Sequence, residues 1–110
     1  MAWGRGFGRR GRPRCPRWIY MLPAASLFIP LNVPSKGRVV VSYPELEAMR
    51  LVDVEGLTHE EAASRMGVSR KTFWMDLKSG RRKVVEALTN GMEIEIIGGQ
   101  YLLKQKSSSK

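Results

Sequence analysis

The chain has 110 residues, enough for one small domain whose single core removes roughly 60–65% of the unfolded surface from water. Apolar residues make up 43% of it, which excludes a wholly disordered protein, and 19 Lys and Arg against 10 Asp and Glu leave a net charge of +9. A single cysteine, Cys15, excludes an internal disulfide framework or a cysteine-rich zinc site, and a single histidine, His59, leaves two-histidine metal chemistry without a partner. No catalytic residues, metal or cofactor are therefore expected, and the protein is not expected to be an enzyme.

Residues 1–38 hold eight basic residues and no acid, so nearly the whole excess charge lies at the front of the chain. Segment 1–17 is rich in Gly and Arg without apolar periodicity and is expected to be a disordered basic arm. Within it, Arg10-Gly11-Arg12-Pro13 resembles the core of an AT-hook, which inserts into narrow minor grooves; a plain basic tail is the competing reading. Trp18 to Val33 imitates a secretory signal. Pro23, Pro30 and Pro34 interrupt its apolar run, however, and no stretch approaches the roughly 20 residues that span a bilayer. Residues 18–42 are expected to be an extended, proline-punctuated segment ending in a short strand at Val39-Val40-Val41.

Ser42 with Glu45 reads as a capping box that opens a helix from Tyr43 to Glu55, with Leu46, Met49 and Val52 inward and Gly56 as its stop. Thr58 with Glu61 is a second capping box, and the short helix it opens places Ala62, Ala63 and Met66 on its inner face. Gly67 supplies a turn, and Ser69 caps a third helix with Phe73, Leu77, Gly80, Val84 and Leu88 along one stripe. A short helix, a glycine turn and a longer basic helix spell a helix-turn-helix. Residues 43–91 are thus expected to form that domain. Beyond it, Met92 to Leu103 alternates around Gly98-Gly99 and reads as a hairpin at 92–103, serving as core cover, dimer edge or wing. Residues 104–110 read as a frayed tail. The expected fold class is mainly α: a three-helix helix-turn-helix core with a C-terminal β-hairpin and an extended basic arm.

Charge runs alone are equally consistent with two solvated helix faces. The third helix says more. At about 100° per residue, Lys71, Met75, Lys78 and Arg82 lie opposite the Phe73 stripe, with Trp74 at the border and Ser69 and Arg70 at the helix start. Arg70 and Lys71 stand where a recognition helix meets base edges, whereas Lys78 and Arg82 stand where phosphates pass. A solubilising, dipole-complementing face is the alternative for the later cations. Trp74 fits stacking, a wedge against a sugar, or simple core cover.

Glu45-Leu46-Glu47-Ala48-Met49-Arg50-Leu51, Asp53-Val54-Glu55-Gly56-Leu57, Glu60-Glu61-Ala62-Ala63, Met66-Gly67-Val68-Ser69-Arg70, Thr72-Phe73 and Arg81-Arg82-Lys83 occur in order. Together they resemble an uncharacterised prokaryotic family of small DNA-binding proteins whose helix-turn-helix is similar to region four of sigma factors. The likeness covers roughly residues 12–103, from Arg12-Pro13-Arg14-Cys15 to Gly98-Gly99-Gln100-Tyr101. It implies a cytoplasmic bacterial or archaeal protein with a DNA-binding role. The expected partner is double-stranded DNA, with no membrane partner and no small-molecule ligand evident in the sequence. Asp76, where such motifs carry an apolar residue, Gly80, where alanine is expected, and the bulk of Trp74 depart from the pattern. The leading expectation is sequence-dependent DNA binding in transcription regulation, through Ser69, Arg70, Lys71, Trp74, Met75, Lys78 and Arg82. Since one such unit contacts few base pairs, a homodimer is expected. The alternatives are a protein-interaction adaptor that keeps the fold without DNA specificity, and non-specific nucleic-acid coating through the Gly/Arg arm.

Overall fold

The computed structural model describes residues 17–104. The Arg10-Gly11-Arg12-Pro13 segment, Cys15, most of the basic arm and the tail beyond Lys104 lie outside the described residues.

Helix α1 spans Tyr43–Met49. Its box is closed: Ser42 Oγ accepts the Glu45 N–H at 3.2 Å, and the Glu45 carboxylate accepts the Ser42 N–H at 2.9 Å. The helix then widens into a π-helical turn, Arg50–Val54, in which the Glu55 N–H reaches back to the Arg50 carbonyl at 2.9 Å. Arg50 braces this wide turn, donating to Glu47 at 2.9 Å and to Glu55 at 2.7 Å. Helix α2 spans His59–Met66 behind the Thr58–Glu61 box and ends at Gly67, whose φ of 72° is the left-handed conformation that glycine adopts without steric cost. Helix α3 runs from Arg70 to Asn90, capped by Ser69.

Among the described residues, five strands complete the fold: β1 (Arg17–Ile19), β2 (Leu27–Phe28), β3 (Arg38–Val41), β4 (Glu93–Ile96) and β5 (Tyr101–Leu103). They make two sheets. One is a parallel pair, β1–β5, with Arg17 opposite Tyr101 and Ile19 opposite Leu103. The other is three-stranded, with β4 in the centre, antiparallel to β2 and parallel to β3.

This corrects the expected fold class. The described residues form an α/β mixture, not a mainly α three-helix domain, and the strands at Glu93–Ile96 and Tyr101–Leu103 do not pair with each other as a hairpin. Gly98 and Gly99 do take positive φ, 85° and 90°, as a tight turn requires, but the strands on either side join different sheets. The connection passes over the start of α1 instead of folding back. Tyr43 donates its N–H to the Gly98 carbonyl at 3.0 Å, and a Cβ on Gly99 would stand only 2.6 Å from Pro44 Cδ. The segment read as an extended arm likewise supplies two strands, and Ile19 of β1 is fully buried.

The reason is visible in the core. Ala62, Ala63, Met66, Phe73 and Leu77 form a helical cluster, but Ile19 from the β1–β5 pair closes it, along with Ala48 and Leu51. A second cluster joins Val39, Val41 and Ile96 of the three-stranded sheet to Ala87 of α3. The helices alone leave the distal half of α3 without a partner, and the sheet fills that role. Two inner-face assignments change accordingly. Leu88 is 72% exposed while Ala87 is buried, because the sheet covers that flank of α3. Across α1 and the π-helical turn, Ala48 and Leu51 are the fully buried apolar positions, with Leu46, Met49 and Val52 half-buried and packed at the margin of the core.

Candidate nucleic-acid interface

Helices α1 and α3 touch at Gly80, where a Cβ would meet Met49 Cε at 2.9 Å and Glu45 Cβ and carbonyl oxygen at 3.2 Å each. The departure at Gly80 thus lets the two backbones meet. The crossing is fixed on both sides by charge. Glu45 accepts from Ser79 Oγ at 2.6 Å and from Lys83 Nζ at 3.1 Å, while Asp53 accepts from Arg81 at 2.6 Å. Burial pushes the Glu45 carboxyl upward, but its bonds from Ser79, the Ser42 amide and Lys83 outweigh burial and hold it below the ordinary glutamate value. The hydrogen bond from Glu47 raises the Arg50 guanidinium against the opposing effect of burial. Glu47 itself is buried and also accepts the Tyr20 N–H at 2.8 Å, tying the segment after β1 to α1.

These contacts sort the six cations of α3. Arg81 and Lys83 are engaged at the crossing, whereas Arg70, Lys71, Lys78 and Arg82 are exposed and make no ion pair among the described residues. Lys71, Met75, Lys78 and Arg82 follow one another at helical spacing on the face away from Phe73, Leu77 and Gly80. Arg70 and Ser69 sit exposed at the helix start. Trp74, 45% exposed, stacks on His59 with ring centroids 5.6 Å apart and an angle of 25°, so α2 and α3 share an aromatic edge. Asp76 lies at the other flank of α3. Arg17 grips it with two hydrogen bonds of 3.0 and 3.3 Å, and both side chains are largely covered. The acid in place of the usual apolar residue is thereby satisfied, and it sets the start of β1 beside α3.

Sequence reasoning missed a second group of cations. Lys104 lies 5.0 Å from the Trp18 ring and 6.0 Å from that of Tyr20, and the Arg65 guanidinium lies 5.5 Å from the Tyr20 ring. Trp18 packs against Gly67, where a Cβ would stand 2.8 Å from Trp18 Cδ1. This aromatic and basic group thus flanks the α2–α3 turn. Arg17 and Lys104 could be picked out only by knowing that β1 pairs with β5, and no local spacing carries that information. Among the described residues, no group of three or more His, Cys, Asp and Glu is placed to hold a metal ion, and no helix is long and apolar enough to cross a membrane.

The class defined by this geometry is a small α/β protein in which two short sheets brace a helical pair with one exposed basic face. The chain belongs to the family described as Protein of unknown function DUF134, whose model matches residues 7–104. It is similar to a UPF0251 protein of Methanosarcina acetivorans, 53% identical over 100 residues, covering 89% of each chain. A UPF0251 protein of Methanococcus maripaludis strain C5 is 48% identical over 99 residues, 88% of this chain and 76% of the relative. One from Pyrococcus furiosus is 48% identical over 91 residues, 80% of this chain and 84% of the relative. These three relatives are archaeal. No solved structure matches the chain.

Proposed function

We propose that the α2–α3 pair reads double-stranded DNA in a sequence-dependent way, with the first half of α3 in the major groove, and that the protein regulates transcription. The observation that carries this reading is the sorting of the α3 cations. Those facing α1 are neutralised by Asp53 and Glu45, and those facing outward, Arg70, Lys71, Lys78 and Arg82, keep their charge exposed beside Met75 and Trp74. A merely solubilising face needs no such separation, whereas a duplex surface with one phosphate charge per ~1.7 Å of axis is met best by a single-signed stripe. The family resemblance of residues 12–103, which implies a helix-turn-helix similar to region four of sigma factors, points to the same reading. Arg70 is assigned to a base edge and Arg82 to a phosphate.

Binding-site selection with the full chain, followed by titration of the selected and a scrambled duplex at several salt concentrations, tests this. Arg70→Ala should cost roughly 1–3 kcal/mol on the selected duplex and relax preference at one base pair. Arg82→Ala should weaken binding evenly and lower the salt slope by about one. Equal losses on both duplexes for Arg70→Ala refute its base contact. No binding by the wild type at low salt refutes the whole reading and favours an adaptor.

A further inference from the structure

We propose that the aromatic and basic group beside the α2–α3 turn is a second contact to DNA: Arg65 and Lys104, held over the rings of Tyr20 and Trp18, grip the phosphate backbone that runs along one flank of α3. This site rests on the DNA reading above and extends it to the β1–β5 pair, with the phosphodiester of a duplex strand as its ligand.

Three parts of the chain build the group. Trp18 lies in β1 and Tyr20 just after it, Arg65 is in the last turn of α2, and Lys104 follows β5. Hydrogen bonds to the backbone join the parts. Lys104 donates its N–H to the Ile19 carbonyl at 2.7 Å, and the Tyr20 hydroxyl donates to the Arg65 carbonyl at 3.2 Å. The two cations thereby share the Tyr20 ring, at 5.5 and 6.0 Å from its centroid, so both charges belong to one small patch. Both side chains are exposed, and neither makes an ion pair among the described residues. Glu61, one turn before Arg65, is turned instead to the Thr58 N–H at 2.9 Å. A ring face holds a cation in place without cancelling its charge, whereas a carboxylate does both. That difference separates Arg65 and Lys104 from Arg81 and Lys83, which Asp53 and Glu45 neutralise.

The position of the group on the helical pair fits a backbone strand. At about 100° per residue, Trp74 and Asp76 stand ~200° apart on α3, on opposite flanks of the outward stripe. His59 stacks on Trp74 at one flank, and Arg17 binds Asp76 at the other. From Arg17 the chain brings the Trp18 ring onto Gly67, three residues ahead of Arg70, where α3 begins. A helix seated in a major groove about 12 Å wide has a phosphate strand along each side. An element on the flank of its entering end therefore meets phosphates and not base edges. Lys104 and Arg65 also stand over the rings, in the place where an unpaired base would stack, so the group suits a duplex backbone and not a single strand.

Titration of the full chain on the selected and the scrambled duplex at several salt concentrations tests the site. Arg65→Gln and Lys104→Gln should each weaken binding roughly 5- to 10-fold at about 0.1 M salt and lower the salt slope by about one. The loss should be equal on the two duplexes, because phosphates carry no sequence information, and both variants should keep the wild-type melting curve. Lys104→Arg retains the charge over the rings and should bind as the wild type does. Unchanged affinity and salt slope in both glutamine variants, with Arg82→Ala still impaired, overturns this site and leaves the DNA reading standing. A loss confined to the selected duplex also overturns it, since the contact is then to bases. So does a wild-type preference for a single-stranded oligonucleotide that the glutamine variants abolish. A wild type that binds no duplex at low salt removes the DNA reading and this site with it.

Discussion

Gly80 is the point where the helix propensity of α3 and its packing pull in opposite directions, so the sign of one substitution decides which dominates. Alanine at a mid-helix glycine gains about 1 kcal/mol when nothing stands in the way. Here the new Cβ would lie 2.9 Å from Met49 Cε and 3.2 Å from both Glu45 Cβ and the Glu45 carbonyl oxygen. The Met49 methyl ends a flexible side chain and swings aside at small cost. Glu45 has no such freedom: it closes the α1 capping box and holds Ser79 at 2.6 Å and Lys83 at 3.1 Å. Moving it means sliding α1 along with its bonds, an overpacking cost of about 1–3 kcal/mol. The net expectation for Gly80→Ala is a destabilisation of about 1 kcal/mol, a fall in melting temperature of about 4–8 °C for a domain of this size. Gly80→Val adds bulk without recovering propensity and should cost about 3 kcal/mol or more. Thermal and urea unfolding followed by circular dichroism measure both. If Gly80→Ala melts above the wild type, the close crossing does not limit stability, and the account of the α1–α3 contact fails.

Three further outcomes are expected. Asp76→Ala leaves the largely covered Arg17 unpaired and should cost about 2 kcal/mol in urea unfolding, whereas the double change Arg17→Met with Asp76→Leu should return to within about 1 kcal/mol of the wild type, since apolar replacement of a whole covered pair is close to neutral. Glu45 titrates below its ordinary value when folded, so its contribution is complete above about pH 4.3 and is lost as pH falls from there through the folded value. Glu45→Gln keeps the cap but loses the charge: it should be less stable by about 1–3 kcal/mol at pH 7 and show a smaller further loss between pH 5 and 3. Gly67→Ala puts a side chain at φ 72° and against Trp18, costing about 1–3 kcal/mol. Its tryptophan emission should shift as the Trp18 ring moves; an unchanged spectrum and midpoint would contradict the packing of Trp18 on the turn.

What was legible in the sequence was local. The boxes Ser42–Glu45 and Thr58–Glu61 declare helix starts because both partners lie within one turn, and Gly67 declares a left-handed stop for the same reason. The outward positions Lys71, Met75, Lys78 and Arg82 follow from helix period alone. What failed was pairing at a distance. Gly98-Gly99 is a sound turn signal, yet whether two flanking strands bond to each other or to Arg17–Ile19 and Leu27–Phe28 depends on partners many residues away. Asp76 likewise departs from the apolar pattern because Arg17, 59 residues away in sequence, lies against it, and the Trp18–Lys104 group beside the turn depends on the same distant pairing.

The parallel pairing of β1 with β5 also bears on how the chain reaches its native state. Its helices are built from near neighbours, but Arg17 and Tyr101 stand roughly 80 residues apart in sequence, and closing so long a loop is an entropic barrier that nearby contacts must lower first. The helical pair is then the early scaffold, and the ribbon that seats Ile19 is the late step. During synthesis β1 emerges long before its ladder partner, so the core around Ile19 is completed only after Leu103 has been added. Loss of the ten residues from Tyr101 to Lys110 is therefore as severe as a lesion in the core, although two of the three side chains removed with β5 are exposed.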